Sequence, residues 1–225
     1  MKNILLIALM TFAASFTMIQ KKQKVVFFGD SITQAGVEPG GYITVLRDMF
    51  EKKGMKDSYE LVGAGIGGNK VYDLYLRMEE DVLARNPDEV FIYIGVNDVW
   101  HKKTSQTGTD ADKFEAFYNA IIKKLKAKNI AVLICTPATI GERNDFSNEL
   151  DGDLNKYSNI IRRIAKNNNC PLIDLRQSFL DYLKTNNPDN KDRGILTTDG
   201  VHLNPAGNRF VADKMFAVLK ENFIH

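Results

Sequence analysis

Short apolar runs alternate along the chain with longer segments in which apolar residues recur every three or four positions. The runs are rich in Val, Ile, Phe and Tyr, and Gly, Pro, Asn or Asp bounds each of them. Such near-continuous runs are typical of strands buried on both faces of a parallel sheet. We predict five strands, with the sequences KVVFF, YELVG, EVFIYIGV, IAVLICT and PLIDL.

The segments between these runs have the apolar period of helices. Five helices are predicted, in YITVLRDMFEKKG, VYDLYLRMEEDVLARNP, DADKFEAFYNAIIKKLKAKN, LNKYSNIIRRIAKNNN and NPAGNRFVADKMFAVLKENF. In the last of them, Asn204 is a candidate N-cap and Pro205 fits the first helical position. The alternation predicts a doubly wound α/β domain with right-handed crossovers. Long irregular stretches, which are often functional, are expected at about residues 100–109, 137–153 and 186–201.

The first 20 residues do not fit this alternation. One early lysine, an apolar run and then small residues are typical of an export signal, and the spacing of Ala13 and Ser15 favours cleavage after Ser15. The apolar run is shorter than the roughly 20 residues that a membrane-spanning helix needs. We therefore expect an exported protein, periplasmic or secreted, in which residues 21–225 form a single domain. Retention of the segment as a membrane anchor is the alternative.

Composition changes this picture little. A length of 225 residues, with 44% hydrophobic and 26% charged residues, suits one globular α/β domain. The net charge of +2 is spread along the chain and is too mild to indicate a nucleic-acid partner. No group of His, Cys and carboxylate residues has metal-ligand spacing, so no metal is expected. Cys135 and Cys170 are expected near opposite ends of the sheet, too far apart for a disulfide.

The candidate chemistry follows the predicted strands, because sites in open parallel sheets lie beyond the carboxyl ends of the strands. Ser31 follows the first strand in FFGDSIT, and Asn97 follows the third in IGVND. Asp199 and His202 lie three residues apart in a loop before the last helix. A carboxylate behind an imidazole fixes its tautomer, and such a base can activate a serine hydroxyl. The alternatives are ordinary: a helix N-cap for Ser31, an Asx-turn for Asn97 and a surface turn for the other two.

The second predicted strand runs into a glycine-rich stretch that supports a different hypothesis. Gly63, Gly65 and Gly68 spell G-x-G-x-x-G before a helix, which is the pattern of a dinucleotide site. The acidic ribose partner expected about 20 residues on is not there, since Asp98 follows only at about 30. The pattern also follows the second strand rather than the first. The glycines could instead bring a backbone N–H close to a reacting group, so an oxidoreductase stays open as an alternative.

Taken together, FFGDSIT, GIGGNKVYDL, IGVND and DGVHLN resemble the sequence blocks of the SGNH hydrolases, the GDSL family of lipases and esterases. The blocks occur in the family's order and cover nearly the whole chain after its first 20 residues. By this resemblance Ser31 stands in the place of the nucleophile, with Asp199 and His202 as acid and base. Gly68 matches the glycine that donates its N–H, and Asn97 matches the side-chain donor.

The resemblance implies a flavodoxin-like, three-layer α/β/α fold with five parallel strands, and ester hydrolysis without a cofactor. It implies an acyl-enzyme on Ser31 and an oxyanion hole made by the N–H groups of Ser31 and Gly68 and the amide of Asn97. We expect Asp30 and Trp100 to line the substrate site.

The expected substrate is a small-molecule or glycan ester with a short acyl chain, because the loops near Trp100 and Arg143 are polar. O-acetylated carbohydrate is favoured, since exported members of the family often deacetylate carbohydrates. The alternatives are a lysophospholipid, an aryl ester or a thioester as substrate, and a non-catalytic carbohydrate-binding module on the same fold.

Overall fold

The five predicted strands pair into one parallel sheet in the computed structural model, which describes residues 21–222. Their order across the sheet is β2-β1-β3-β4-β5, so the chain winds outwards in both directions from the centre, and the predicted doubly wound α/β fold is confirmed. Residues 1–20, to which the export signal was assigned, lie outside the described residues. The strands are β1 (Gln23–Gly29), β2 (Tyr59–Gly65), β3 (Glu89–Tyr93), β4 (Ala131–Cys135) and β5 (Leu172–Ile173).

Helices cover both faces of this sheet. They are α1 (Ser31–Gly36), α2 (Tyr42–Lys52), α3 (Val71–Asp81), α4 (Val96–Thr104), α5 (Ala111–Ala127), α6 (Asp151–Asn167), α7 (Leu175–Asn186) and α8 (Pro205–Asn222), with a 3₁₀ turn at Leu83–Arg85. In α8, the side chain of Asn204 accepts the N–H of Gly207 at 2.9 Å, which confirms the predicted cap.

Three of these helices, α1, α4 and α7, are not among the predicted ones. The stretch from residue 100 was predicted as irregular, but α4 continues to Thr104. It carries an acidic residue, Asp98, in its first turn and lysines in its last turn. These are the placements that interact favourably with the helix dipole. PLIDL was predicted as a strand throughout, whereas β5 has only two residues and Asp174 caps α7 by accepting the N–H of Gln177 at 3.1 Å.

The apolar character of β1 on both faces follows from its central place. Val25 and Phe27 pack into the core on one side of the sheet, and Val26 and Phe28 pack into the core on the other. All four side chains are buried, and each such burial stabilises the fold by about 1.5–3 kcal/mol. The same central place puts Gly29, the last residue of β1, beside Gly65 of β2 and Tyr93 of β3. The loops that leave these three strands therefore meet.

Both cysteines are buried free thiols, and Cys135 ends β4 as predicted. Among residues 21–222, no helix is long and apolar enough to cross a membrane. The same residues hold no cluster of three or more His, Cys, Asp or Glu side chains arranged for a metal ion.

Candidate active site

A sharp turn at the end of β1 places Ser31 at the rim of the sheet. Gly29 allows this turn, because a Cβ there would lie 2.4 Å from the carbonyl oxygen of Tyr93. Asp30 is the N-cap of α1, and its carboxylate accepts the N–H of Ile32 at 3.0 Å. Ser31 is the first residue of the helix, so the N-cap role considered for it belongs to its neighbour.

The structure brings Ser31, His202 and Asp199 into one hydrogen-bonded chain, although 171 positions separate the serine from the histidine. Oγ of Ser31 lies 2.9 Å from Nε2 of His202, and Nδ1 of His202 lies 2.7 Å from Oδ2 of Asp199. A carboxylate only accepts, so the Nδ1 of His202 carries the proton and Nε2 is left to accept from the serine hydroxyl. This is the arrangement that serine activation needs.

The histidine and the aspartate lie on a tight turn, here called the acid–base loop (residues 197–203). Thr197 and Leu203 form an antiparallel bridge at its base, and the N–H of Thr198 donates to the carbonyl of His202 at 2.8 Å. Within the loop, Oδ1 of Asp199 accepts the N–H groups of Val201 at 2.9 Å and of His202 at 2.8 Å. The loop is thus closed by its own hydrogen bonds.

These donors also set the charge of Asp199. Partial burial raises the pKa of its carboxyl group, but hydrogen bonds from the side chain and N–H of His202 and from the N–H of Val201 outweigh burial. The net effect lowers the pKa of Asp199 below its ordinary value. Asp199 is therefore an anion at neutral pH, as the partner of an imidazole that takes up a proton must be.

The three predicted oxyanion donors lie just beyond the carboxyl ends of β1, β2 and β3. Among residues 21–222, neither the N–H of Ser31 nor that of Gly68 is bonded to a protein acceptor. Gly68 has a φ of +76°, a conformation that favours glycine. Asn97 lies in the first turn of α4, not in an Asx-turn at the strand end, and its amide donates to the carbonyl of Asn69 at 3.1 Å. The second amide proton of Asn97 remains available.

Two cations that were not predicted from the sequence hold the loop of residues 66–69, here called the donor loop. Lys70 is buried and donates to the carbonyl of Gly68 at 2.9 Å. Arg77 donates to the carbonyl of Gly29 at 2.8 Å and to the side chain of Asn69 at 2.7 Å. His101 lies close by, and burial together with the charge of Lys70 lowers its pKa. Nothing in the local sequence distinguishes these cations from exposed ones, since their roles depend on contacts with other loops.

Asp30 does not line the substrate site as expected. Its side chain is buried, turned into the helix cap beneath Ser31. Burial raises its pKa to about 7 against the effect of the Ile32 N–H, and the charge of Asp98 adds to the rise. Asp98 is also buried and accepts the N–H of Val71 at the start of α3, so its role is structural. Burial raises the pKa of Asp98 to about 7 as well.

Trp100 lies on α4 beside the acid–base loop, with its ring centroid 6.3 Å from that of His202. It borders a cavity of about 420 Å³, here called the Trp100 cavity. Apolar, amide and charged side chains share its walls. The lining residues are Trp100, Lys103, Thr104, Ile140, Gly141, Arg143, Ser147, Asn148, Glu149, Leu150 and Asp192.

The glycine pattern considered as a dinucleotide site has a packing explanation. Gly63 and Gly65 lie inside β2, before the turn, and α1 and the segment after it pack against them. A Cβ at Gly65 would come 2.1 Å from the backbone nitrogen of Gln34, and a Cβ at Gly63 would come 2.3 Å from the side chain of Val37. The lack of side chains at these two glycines lets neighbouring chain segments pack closely against β2. This geometry gives no support to a phosphate site.

Comparison with known proteins agrees with this geometry. Residues 27–210 match the GDSL-like lipase/acylhydrolase family. The chain is 30% identical to an acetylxylan esterase of Geobacillus stearothermophilus over 84% of this chain and 90% of that protein. It is 25% identical to an isoamyl acetate-hydrolyzing esterase 1 homolog of Rattus norvegicus, over 87% of this chain and 81% of that one. The crystal structure of the acetyl xylan esterase AlAXEase superposes with a TM-score of 0.86 at 68% identity, covering 87% and 99% of the two chains.

Proposed function

This chain belongs to the GDSL-like lipase/acylhydrolase family and is an ester-hydrolysing serine hydrolase, and we propose that it removes acetyl groups from O-acetylated carbohydrate. The single observation that carries the proposal is the hydrogen-bonded chain from Ser31 through His202 to Asp199. The size and walls of the Trp100 cavity support the choice of substrate.

In the first half of the proposed reaction, His202 takes the hydroxyl proton of Ser31 through Nε2. The Oγ of Ser31 then forms a bond to the carbonyl carbon of the ester. The bond from that carbon to the alcohol oxygen breaks, and His202 gives its proton to the leaving alcohol. Asp199 stabilises the imidazolium throughout, since its hydrogen bonds keep it ionised.

The second half releases the acid. Water gives a proton to His202 and attacks the acyl-enzyme, and Ser31 leaves with the proton restored. In both halves the negative charge on the carbonyl oxygen is met by the N–H groups of Ser31 and Gly68 and by the amide of Asn97. Donors fixed before the reaction stabilise such charge without reorganising. The bonds from Lys70 and Arg77 to the donor loop support this role.

The Trp100 cavity supports a sugar as the alcohol part of the ester. An aromatic ring borders it, and charged side chains such as that of Arg143 line its walls, a mixture that suits a hydroxylated ring better than a long acyl chain. Two of the similar proteins reported above are named as acetylxylan esterases. An acetylated xylan or xylo-oligosaccharide is therefore the first substrate to try.

A substrate panel tests this proposal. We expect the highest kcat/KM with acetylated xylo-oligosaccharides, lower values with p-nitrophenyl acetate and butyrate, and a steep fall at octanoate. Acetate release is measured alongside the p-nitrophenol signal. A preference for octanoyl or lysophospholipid esters over acetylated sugars would favour the lipolytic alternative. Sugar binding without any turnover, unchanged in Ser31→Ala, would favour a carbohydrate-binding module.

Export belongs to the same proposal, because a polymeric glycan is met outside the cytoplasm. The N-terminal sequence, with its lysine, apolar run and small residues, supports it. Expression of the full chain, fractionation and mass spectrometry of the mature N-terminus test it. A processed protein in the periplasm or medium is the expected result, and an intact N-terminus in the cytoplasm would overturn it.

A further inference from the structure

Glu142 is a fully buried carboxylate that the reaction scheme does not use. It lies between β4 and α6, and its side chain reaches a distant part of the chain. Three consecutive backbone N–H groups, those of Ile195, Leu196 and Thr197, donate to it at 2.7, 2.7 and 2.6 Å. A buried polar group that loses its hydrogen bond is costly, so the three donors and their acceptor stay together. Glu142 therefore fixes the direction of segment 195–197.

That segment is the base of the acid–base loop. The hydroxyl of Thr197 accepts the N–H of Gly200 at 3.1 Å, and the carbonyl of Thr197 accepts the side chain of Asn204 at 3.3 Å. Thr197 also forms the bridge to Leu203 that closes the loop. Any rotation of segment 195–197 thus moves Asp199 and His202 together, as one unit.

The same stretch of chain also forms the wall of the Trp100 cavity. Gly141 and Arg143, on either side of Glu142, both line it. The N–H of Gly141 donates to the carbonyl of Gly200 at 2.8 Å, inside the acid–base loop. The backbone of Glu142 is held in turn, since its N–H donates to the carbonyl of Asp192 at 2.9 Å and its carbonyl accepts the side chain of Asn187 at 2.8 Å.

We propose that Glu142 is a positioning residue that sets Nε2 of His202 against the hydroxyl of Ser31 and ties the acid–base loop to the cavity wall. The inference rests on the roles proposed above for Asp199 and His202. Glu142 touches no reacting atom, so its effect is on geometry. A displacement of about 1 Å at a reacting group costs on the order of 10²-fold in rate.

The test is Glu142→Gln, which leaves the volume of the side chain but places an NH₂ group against N–H donors. We expect kcat to fall between about 10-fold and 10²-fold, with KM changed less than about twofold. The matched control is Glu89→Gln, which neutralises an equally buried glutamate at the opposite edge of the sheet. Glu89 contacts neither the acid–base loop nor the cavity, so its variant should keep the wild-type kcat.

A second readout is independent of substrate. The proton between Nδ1 of His202 and Asp199 gives a far-downfield NMR resonance, and we expect Glu142→Gln to shift or broaden it while Glu89→Gln leaves it in place. Wild-type kcat and an unmoved resonance in folded Glu142→Gln would overturn the proposal, even with a lower Tm. If Glu142→Gln does not fold, Glu142→Asp decides in the same way, because its shorter side chain withdraws the carboxylate from the three N–H groups.

These outcomes separate the inference from the proposed function. If the wild-type protein cleaves no acetyl ester, the proposed function fails, yet the resonance still reports whether Glu142 sets the geometry of His202 and Asp199. If the wild type cleaves the ester and Glu142→Gln matches it in both readouts, only the positioning role fails.

Discussion

Carboxylates at the two ends of the parallel strands have opposite hydrogen-bond environments, whether or not they are buried. At the carboxyl edge, Glu142 accepts three backbone N–H groups and Asp199 accepts two together with the imidazole N–H. At the amino edge, Glu89 begins β3 with its side chain buried, and within residues 21–222 its Oε1 has no hydrogen-bond partner. Burial raises the pKa of Glu89 to about 7, whereas the donors around Asp199 lower its pKa.

The difference shows that burial alone does not mark a functional carboxylate. Several donors keep a carboxylate ionised, whereas a buried carboxylate with one distant donor, as Glu89 has in the Gln23 amide at 3.5 Å, keeps its proton to a higher pH. Asp30 and Asp98, beneath the active site, stand between the two cases. Each accepts one backbone N–H from the start of a helix, and burial still raises its pKa to about 7. The following predictions test this contrast, beginning with the largest effect.

Loss of the nucleophile should have the largest effect. Ser31→Ala and His202→Ala should each reduce kcat by roughly 10⁴-fold or more, because serine and base act as a unit. For the same reason the double variant should be no slower than either single one. Acetate release by the three variants measures this. A double variant slower by the product of the single effects would show that the two residues act independently.

Asp199→Asn should follow, with a fall in kcat of about 10⁴-fold. The Asn side chain presents an NH₂ group to Nδ1 of His202 or leaves the backbone N–H groups of the loop unpaired, and it no longer holds the tautomer that Ser31 needs. Steady-state kinetics with p-nitrophenyl acetate measure the loss. A kcat within tenfold of the wild-type value would show that Asp199 is not a catalytic residue. The contrast between Asp199 and Glu89 would then have no functional meaning.

Asn97→Ala should cost about 10²–10³-fold in kcat, the usual effect of one lost oxyanion donor. KM should change little, since the amide is expected to act on charge that develops in the transition state. The kcat and KM values for acetyl esters separate these effects. An increase in KM at constant kcat would instead make Asn97 a ground-state binding residue.

Glu89→Gln should change stability and leave activity alone. The carboxyl pKa is about 7 in the folded protein and near 4.5 in a free glutamate, so the folded state keeps a proton that the unfolded state has lost. The resulting stability is present below pH 4.5 and is lost as the pH rises through 7, by at most about 3 kcal/mol. Denaturant unfolding of both proteins at pH 5 and pH 8 measures it.

The Gln variant cannot ionise, so it should gain stability relative to wild type as the pH rises. An equal difference between the two proteins at both pH values would contradict the prediction, and so would a change in kcat.

The sequence predicted the parts of this molecule that depend on local pattern. Strands buried on both faces are continuous apolar runs, so β1, β3 and β4 could be recognised one by one, and β2 was recognised by its bounding glycines and its apolar residues. The meeting of Ser31 with His202 followed from the rule that loops at strand exits converge, helped by the family's motifs. The short helices α1 and α4 were not predicted, because tertiary contacts rather than long amphipathic patterns stabilise them.

The supporting residues could not be predicted for a related reason. Glu142 stands in a polar stretch, GERND, and its donors lie 53 to 55 positions further on. From the sequence alone, Asp30 could line the pocket or cap a helix from a buried position. Its observed position beneath Ser31 decides for the cap.

Covalent trapping of Ser31 tests the central claim most directly. An organophosphorus ester reacts irreversibly with a serine whose proton a neighbouring base removes. After incubation and proteolysis, mass spectrometry should find the adduct on the peptide that carries Ser31, in step with loss of esterase activity, and His202→Ala should slow its formation. An adduct on another residue, or full inactivation with Ser31 unmodified, would contradict the account.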